Sequence, residues 1–567
     1  MRTYKSHHED IDIPDLDILT LLFESEWCAA KEETVIHAEA ANPSNSITKS
    51  QARETVKRIA HVLRNKFEIG KGNGAGKDVV LSVVSGSPFI PVLFYSIVAA
   101  AGVYSGASGA FTVTELARQM QDANAKLLLC SPEYEDLTVT AAKKSNIPLS
   151  RILIIDAKTP GDWKLLPVTG DRTRNVLDLQ HGPQLEWKRI TTQHELEQTT
   201  TCLMYSSGTT GLPKGVLISH RNLVACNVCG MHITKSFLAQ REREGRPFEF
   251  RTIAHLPMAH IGGISWSSLN PFYLGGTAYW VDKYDFESFI EYHRRYKLTT
   301  QWTVPPIWLA IAKSAAVTDH FDTLQIACTG AAPMGPELTK EATRKLGTGK
   351  IPIIAQLWGA TETTGSISGV DWGYNDETCS SGAPFPNLRL RFVDDNDQDV
   401  EPGQPGEILV AGPFVCQGYH NRPEANASSF LDDFYRTGDI GIWRDGLIYV
   451  VDRKKELIKY KGLQVAPAEL EALLTSHPKI VDAAVIGVQD ESRATEVPRA
   501  FIVVKPGVSV EAAEVVEFVA ANLANHKRLR GGVEFLQEIP KSASGKILRK
   551  ELRQRVLEEE KRRGAKL

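Results

Sequence analysis

Cysteine is scarce in this sequence and follows no repeating pattern. Eight cysteines are spread over 567 residues, and only Cys226 and Cys229 form a Cys-x-x-Cys pair. A zinc site built from such pairs needs a second pair, which the sequence lacks. We therefore predict free, buried thiols in a reducing compartment and no disulfide framework.

The sequence also lacks an excess of either charge and any long hydrophobic run. Lys and Arg number 65 against 68 Asp and Glu, a net charge of -3. This balance provides no broadly basic surface, so no nucleic-acid partner is expected. The longest apolar run, residues 88–101, is shorter than the roughly 20 residues of a membrane-spanning helix. We expect no membrane span and no secretory signal, and we interpret the run as a buried helix.

The length and the periodicity of the sequence predict at least two domains. A chain of 567 residues is too long for one hydrophobic core. Between residues 52 and 130, helical periodicity alternates with short β-branched runs, which is typical of βαβ units and a mostly parallel sheet. After Asp452 the pattern predicts a compact α+β domain. Its predicted helices are 469–476, 512–523 and 550–562, and its predicted strands are 481–488, 499–504 and 532–536.

A loop rich in glycine and hydroxyl groups has the composition of a phosphate-binding site. Residues 204–215, MYSSGTTGLPKG, contain two serines, two threonines, three glycines and Lys214. Glycines allow close backbone approach, while hydroxyls, amides and the lysine can hold phosphate oxygens. The spacing differs from that of a P-loop. We predict a strand before this loop and a helix-like segment, residues 216–225, after it.

Seven motifs in order resemble one enzyme family. They are YSSGTTGLPKGV at the loop, LPMAHI at 256–261, TGAAP at 329–333, QLWGATET at 356–363, YRTGDIG at 435–441, DRKKELIKYKGLQVAPAE at 452–469 and PKSASGK at 540–546. Together they resemble the adenylate-forming superfamily of acyl-CoA synthetases, peptide-synthetase adenylation domains and firefly luciferase. The resemblance covers nearly the whole chain and is strongest to 4-coumarate-CoA-ligase-like enzymes.

The resemblance implies a fold and an activity. It implies an α/β fold, with residues 1–451 as a large N-terminal domain of stacked mixed sheets flanked by helices. Residues 452–567 would form a small, mobile α+β domain. The implied reaction joins a small-molecule carboxylic acid, aryl or medium-chain, to ATP as acyl-AMP and then to coenzyme A. ATP, Mg²⁺ and coenzyme A are thus the implied cofactors, and AMP and pyrophosphate the other products.

The resemblance also assigns residues to the nucleotide, the metal and coenzyme A. Thr361 and Glu362 would hold Mg²⁺ on the phosphates, Asp439 the ribose, and Trp358 would stack on adenine where coumarate ligases usually carry tyrosine. The assigned nucleotide and coenzyme A residues are Ser206, Ser207, Gly208, Thr209, Thr210, Gly211, Lys214, Ala331, Ala332, Trp358, Gly359, Thr361, Asp439, Arg453, Lys461 and Gly462.

Two lysines are assigned to the two half-reactions. By resemblance Lys546 catalyses adenylate formation with Glu362, and Lys459 serves thioester formation after the small domain turns at Lys455. His260 would lie beside the acyl carboxylate. The implied acyl pocket is lined by Ala259, Ser265, Gly330 and Thr364.

Several alternatives stay open from the sequence. A stand-alone adenylation enzyme would load the acyl group onto a carrier-protein thiol, although no carrier domain follows the last motif. A luciferase-type oxidase shares every motif. A non-catalytic binding protein on the same fold would be indicated by loss of Lys546, Glu362 or Asp439, and all three are present. The identity of the acid, the pathway and the oligomeric state are undetermined.

The last three residues predict a location in the cell. Ala565, Lys566 and Leu567 form a variant of the peroxisomal Ser-Lys-Leu address. We therefore expect a peroxisomal import receptor as a partner and a peroxisomal location, otherwise a cytoplasmic one.

Overall fold

The computed structural model describes residues 1–72, 74, 76–206, 213–347, 351–460, 463–490, 495–542 and 545–564, with side chains up to residue 559. The predicted C-terminal address, Ala565 to Leu567, lies outside the described residues. In the described part of the chain, no helix is both long enough and apolar enough to cross a bilayer. All eight cysteines are free thiols, and all but Cys379 are buried.

Two seven-stranded sheets form the centre of the large domain, and elements are numbered in chain order. One sheet has the spatial order β7-β6-β5-β3-β4-β8-β9 and is parallel except for its two edge pairs, β6–β7 and β8–β9. Its strands are β3 (Val79–Val83), β4 (Val103–Ala107), β5 (Leu127–Cys130), β6 (Ile152–Asp156), β7 (Lys164–Pro167), β8 (Thr200–Ser206) and β9 (Lys214–Ser219).

The second seven-stranded sheet has the order β14-β13-β12-β10-β11-β1-β2 and is parallel except for β1–β2. Its strands are β1 (Val35–Glu39), β2 (Ser46–Thr48), β10 (Arg251–Ala254), β11 (Thr277–Trp280), β12 (Thr300–Thr303), β13 (Ile326–Thr329) and β14 (Ala355–Gln356). Short hairpins follow, made of β15 (Gly359–Ala360) with β16 (Gly365–Ser366) and β17 (Ser368–Gly369) with β18 (Ala383–Pro384).

An antiparallel sheet closes the large domain. It consists of β19 (Arg389–Val393), β20 (Pro405–Ala411), β21 (Phe430–Leu431), β22 (Phe434–Arg444) and β23 (Leu447–Arg453). The last strand ends at Arg453, so the predicted domain boundary at Asp452 falls on the final two residues of β23.

Helices cover the sheets of the large domain. They are α1 (Ile18–Phe23), α2 (Lys49–Lys66), α3 (Phe89–Ala99), α4 (Val113–Asp122), α5 (Glu135–Lys144), α6 (Gln193–Gln198), α7 (His220–Val228), α8 (His232–Arg243), α9 (Asn270–Tyr273), α10 (Phe286–Tyr296), α11 (Pro305–Lys313), α12 (Pro336–Arg344) and α13 (Pro423–Ser428). A π-helix covers Gly263–Leu269. Every residue of α3 is buried, which confirms the prediction that the longest apolar run is a buried helix.

The small domain follows β23. Its hairpin is β24 (Ile458–Tyr460) with β25 (Leu463–Val465), and its sheet is β26 (Ile480–Asp490), β27 (Thr495–Val504) and β28 (Val533–Phe535). Its helices are α14 (Pro467–Ser476), α15 (Ala512–Asn522) and α16 (Arg549–Gly564). The predicted α/β fold class with a smaller C-terminal domain is confirmed, and the six predicted elements after Asp452 are present with shifted ends.

One predicted element is wrong. Residues 216–225 were expected to be helix-like, but their first part belongs to strand β9, which runs antiparallel to β8. The apolar residues Val216 and Ile218 pack into the sheet, so pairing with β8 prevails over helix formation. The helix starts only at His220, because the Ser219 side chain accepts the Asn222 amide and caps α7.

Candidate active site

The carboxylate of Glu362 lies at the junction of three parts of the large domain. Glu362 occupies a 3-10 turn directly after β15 and is 6% exposed. Its Oε1 accepts hydrogen bonds from Ser206 Oγ at 2.8 Å and from the Tyr419 hydroxyl at 3.0 Å. No described residue donates to Oε2. Glu362 is therefore a buried carboxyl group whose recorded hydrogen bonds all reach one of its two oxygens.

The two ends of the glycine-rich loop meet beside this carboxylate. Ser206 ends β8, Lys214 begins β9, and the two residues are paired across the hairpin. The Lys214 ammonium lies 4.8 Å from the centre of the Tyr419 ring, and the hydroxyl of the same tyrosine donates to Glu362. The predicted loop residues Ser207, Gly208, Thr209, Thr210 and Gly211 lie outside the described residues. The two described residues that flank the loop thus lie beside Glu362, and one of them is a cation.

A second buried carboxylate, Asp439, is held by two donors from distant parts of the chain. Asp439 on β22 faces Arg453 on β23, and the Arg453 Nε lies 3.1 Å from Oδ1. The indole N–H of Trp358 donates to Oδ2 at 2.8 Å. Asp439 and Trp358 are both buried. Trp358 was predicted to stack on adenine. Its hydrogen bond also positions Asp439, the residue that was predicted to bind the ribose.

The backbone around the predicted adenine site leaves no space for larger side chains. A Cβ at Gly359 would lie 1.9 Å from the carbonyl oxygen of Gly365, so only glycine fits there. Ala331, directly after Gly330 and β13, has a left-handed φ of 70° and is exposed, and Ala332 follows it. Thr361 is half-buried next to Glu362.

Lys546 of the small domain lies within electrostatic range of both carboxylates of the large domain. Burial and the nearby Arg453 guanidinium lower the pKa of Lys546 to about 8, although Asp439 and Glu362 act in the opposite direction. These effects require the Lys546 ammonium to lie within electrostatic range of Arg453, Asp439 and Glu362. The preceding residue, Gly545, packs against the large domain, where its Cβ position is 2.9 Å from Pro306 Cγ.

His260 lies within electrostatic range of Lys546 and is neutral at physiological pH. Burial, together with the Lys546 charge, lowers the pKa of His260 to about 4. Its Nδ1 accepts the Gly262 backbone N–H at 3.1 Å, so the ring proton is on Nε2. His260 can therefore donate one hydrogen bond from Nε2 to a ligand oxygen.

The other two predicted site lysines are both exposed, and they differ in their relation to this cluster. Lys459 on β24 is exposed, and its backbone binds Glu496 Oε2 and the Thr495 hydroxyl within the small domain. Lys455 is also exposed and lies 3.8 Å from Glu456, and its charge helps to lower the pKa of Lys546, so it lies within electrostatic range of the cluster. Lys461 and Gly462 lie outside the described residues. The structure thus brings Lys546, not Lys459, to the carboxylates.

The residues predicted to line the acyl pocket lie around the π-helix and the β15–β16 hairpin. Ser265 donates to the Ile261 carbonyl, and the buried Thr364 hydroxyl donates to the Phe414 carbonyl, so both hydroxyl protons are already used within the protein. A Cβ at Gly330 would lie 2.8 Å from the Trp266 ring, and Ala259 packs against Gly106.

An apolar cavity adjoins these residues through Trp266. It is lined by Cys226, Gly230, Met231, Ile233, Thr234, Trp266, Asn270, Trp302, Leu357, Ser366, Gly369, Val370, Trp372 and Phe385. No charged side chain lines it among the described residues.

Sequence reasoning missed two aromatic residues of the site. Tyr419 connects Glu362 to Lys214, and Trp266 separates Gly330 from the apolar cavity. Tyr419 belongs to none of the recognised motifs, and its only signal is a place beside Gly418 in QGYHN. Trp266 lies six residues after His260, close enough to the LPMAHI motif to have been considered for the pocket.

Comparisons with known proteins show the family of the chain. Residues 25–420 match the family described as AMP-binding enzyme, and residues 469–546 match the AMP-binding enzyme C-terminal domain. A protein of Emericella nidulans named as an acyl-coenzyme A synthetase is 45% identical over 550 residues, covering 96% of this chain and 97% of that one. Phenylacetyl-CoA ligase epaB of Aspergillus niger is 34% identical over 548 residues, covering 95% and 97%.

The fold is also found among solved structures. ATP-bound MatB from Rhodopseudomonas palustris superposes with a TM-score of 0.80 at 24% identity, covering 95% of this chain and 98% of that one. An anthranilate CoA ligase in complex with anthranoyl-AMP gives a TM-score of 0.80 at 22% identity, covering 96% and 98%.

Proposed function

We propose that this chain joins a carboxylic acid to coenzyme A in two steps, and that the part of the acid beyond its carboxylate is hydrophobic and uncharged. The chain belongs to the AMP-binding enzyme family and is an AMP-forming acid–thiol ligase. The observation that carries this proposal is that Lys546 acts electrostatically on His260 and on both carboxylates, Glu362 and Asp439, in a loop whose Gly545 contacts Pro306 of the large domain. This position suits a cation that bridges an acyl group and a nucleotide.

In the proposed first step, a carboxylate oxygen of the acid attacks the α-phosphorus of ATP. The new acyl–phosphate bond forms while the bond to pyrophosphate breaks, so negative charge grows on the phosphoryl oxygens. The Lys546 ammonium would stabilise that charge in a site largely shielded from water. The neutral His260 would donate from Nε2 to the other carboxylate oxygen and orient the acid.

The nucleotide would extend from Lys546 toward the loop and β22. Asp439 would accept hydrogen bonds from the ribose hydroxyls, its position fixed by Trp358 and Arg453. Lys214 and the loop would hold the phosphates. Glu362, with an oxygen not engaged by any described residue, fits a Mg²⁺ ion with Thr361 beside it; when bound, this ion neutralises phosphate charge.

In the proposed second step, the thiol of coenzyme A attacks the acyl carbon. The thioester bond forms, the bond to AMP breaks, and the thiol proton is lost to solvent. Lys546 has no part in this step, whereas Lys459 is exposed on a face of the small domain that does not reach the site in this orientation. We therefore propose a turn of the small domain at Lys455 between the steps, which replaces Lys546 by the face of Lys459 and Lys461.

The acid is proposed to be an aryl or medium-chain monocarboxylate. The cavity beyond Trp266 is apolar, with tryptophan, leucine and phenylalanine side chains and no charged group among its described residues. A second carboxylate placed there would lose its hydration without gaining a partner.

A panel of acids tests the proposal directly. The purified enzyme with MgATP and labelled pyrophosphate should exchange label into ATP with phenylacetate, coumarate or octanoate, and far more slowly with malonate. Adding coenzyme A should then release AMP. No exchange with any acid would contradict the adenylation step. Exchange without coenzyme A-dependent AMP release would favour the alternative, transfer to a carrier-protein thiol.

A further inference from the structure

Two histidines and one aspartate meet on the surface, outside the active site. His7 Nε2 lies 3.3 Å from Asp371 Oδ2, and His8 Nε2 lies 3.0 Å from Asp371 Oδ1. One ligand atom from each residue lies within 4.8 Å of the other two. In a tetrahedral zinc site with bonds of about 2.0–2.1 Å, neighbouring ligand atoms are roughly 3.3 Å apart. The two distances at Asp371 are those of hydrogen bonds in this structure, and they are also close to this ligand spacing.

A third imidazole borders this group. His232, the first residue of α8, contacts His8 edge to face with ring centres 5.4 Å apart, while the rings of His7 and His8 are 4.1 Å apart. Three imidazole rings therefore lie together at this surface, and two of them, His7 and His8, contribute ligand atoms to the group around Asp371.

The segment that carries His7 and His8 is fixed on both sides of them. Before them, Tyr4 exchanges two backbone hydrogen bonds with Leu390, at 2.9 and 2.8 Å. After them, the Ile11 amide donates to the Asn387 side chain, and the Asn387 amide donates to Asp10. The ligands are thus ordered before any ion binds, which lowers the entropic cost of binding.

We propose that His7, His8 and Asp371 bind one divalent transition-metal ion of the zinc class, with water at a fourth position. Imidazole nitrogens combined with a carboxylate oxygen suit zinc and similar ions better than calcium or magnesium. Asp371 lies between Val370 and Trp372, which both line the apolar cavity, and Trp372 donates to Thr234 of α8. The ion would therefore fix the outer wall of that cavity to the N-terminal segment.

Calorimetry on the full chain tests the site. After treatment with a chelator, the protein should bind Zn²⁺ at one equivalent. His8→Ala and Asp371→Asn should each weaken binding by roughly tenfold or more, since even loss of an outer partner costs about 10- to 100-fold. His194→Ala, an exposed histidine on α6, is the matched control and should bind like the unmodified chain. Equal binding by all four proteins would overturn the proposal.

A spectroscopic measurement on the unmodified protein does not depend on the folding of variants. Co²⁺ bound by two imidazoles, a carboxylate and water in a tetrahedral site should give strong visible absorption that Zn²⁺ displaces. Absorption as weak as that of hydrated Co²⁺ would overturn the site. Pyrophosphate exchange should persist in His8→Ala, because His8 has no part in the proposed chemistry.

Discussion

Lys546 illustrates how much of this chemistry depends on one charge. Its ammonium lies near two carboxylates and one guanidinium, and the balance of burial and Arg453 against Asp439 and Glu362 lowers its pKa. The same environment that lowers the pKa makes the ammonium effective, because a charge shielded from water acts strongly on a neighbouring phosphate.

Replacing Lys546 should separate the two half-reactions. Lys546→Ala should slow adenylate formation by roughly 100- to 1,000-fold, the usual cost of removing one stabilising donor. Turnover of supplied acyl-AMP with coenzyme A should change little. Lys550→Ala, an exposed lysine in α16, is the control and should leave both rates unchanged. Equal losses in both half-reactions would contradict the assignment.

The lowered pKa of Lys546 also predicts a pH dependence. A lysine with a pKa of about 8 is charged below pH 8 and loses its proton as the pH rises above it, whereas an ordinary lysine stays charged to about pH 10. The kcat/KM for pyrophosphate exchange, which reports the free enzyme, should therefore fall above about pH 8. His260, with a pKa of about 4, adds no step between pH 6 and 8. A flat profile to pH 10 would contradict this prediction.

At the scale of elements, the loop that carries Lys546 is positioned by contact with the large domain. Gly545 has a left-handed φ of 77°, and its Cβ position lies 2.9 Å from Pro306 Cγ and 3.3 Å from Val304. Pro306 lies in the first turn of α11, and its ring cannot rotate away. A side chain at position 545 would therefore push the loop off α11.

Gly545→Ala should impair adenylation more than it impairs thioester formation. If displacement of the loop raises the activation free energy of adenylation by about 1.4 kcal/mol, the adenylation rate should fall roughly tenfold. Gly507→Ala is a matched control, because Gly507 has a φ of 74° with no atom within 4 Å of its Cβ position. The two variants share the backbone strain and differ only in the contact. Equal adenylation rates in the two variants would show that docking of this loop on α11 does not determine the adenylation rate.

At the scale of the whole molecule, the orientation of the small domain decides which lysine reaches the site. Helix α14 packs on α12, where a Cβ at Gly335 would lie 2.9 Å from the Ala472 Cβ. In this orientation Lys546 faces Glu362 and Asp439, while Lys459 is exposed. The proposed second step requires this packing to break.

A disulfide across these two helices should hold the molecule in the first step. Disulfide-bonded Cβ atoms are about 3.5–4.5 Å apart, so a small shift would allow Gly335→Cys and Ala472→Cys to be joined. The oxidised double variant should keep pyrophosphate exchange and lose coenzyme A-dependent AMP release, and reduction should restore that release. Both single variants serve as controls. Unchanged AMP release in the oxidised protein would show that no such domain turn is needed.

The amino-acid sequence determined the family, the fold class and most elements. Its ordered motifs depend on local chemistry, such as the hydroxyls and glycines of residues 204–215, and its periodicities depend on neighbours along the chain. For that reason the predicted ends of the small-domain helices and strands lie within a few residues of the observed ends. The helix expected at residues 216–225 was wrong, because pairing of β9 with β8 outweighed local preference.

Only the tertiary structure decided how distant residues meet. Trp358 donates to Asp439, 81 positions further along the chain, and Tyr419 reaches Glu362 across 57 positions. Gly335 and Gly545 contact Ala472 and Pro306 in the orientation in which Lys546 lies within electrostatic range of the carboxylates. Such contacts depend on the shapes of whole surfaces rather than on local residue patterns, so the motifs name the participants but not their arrangement.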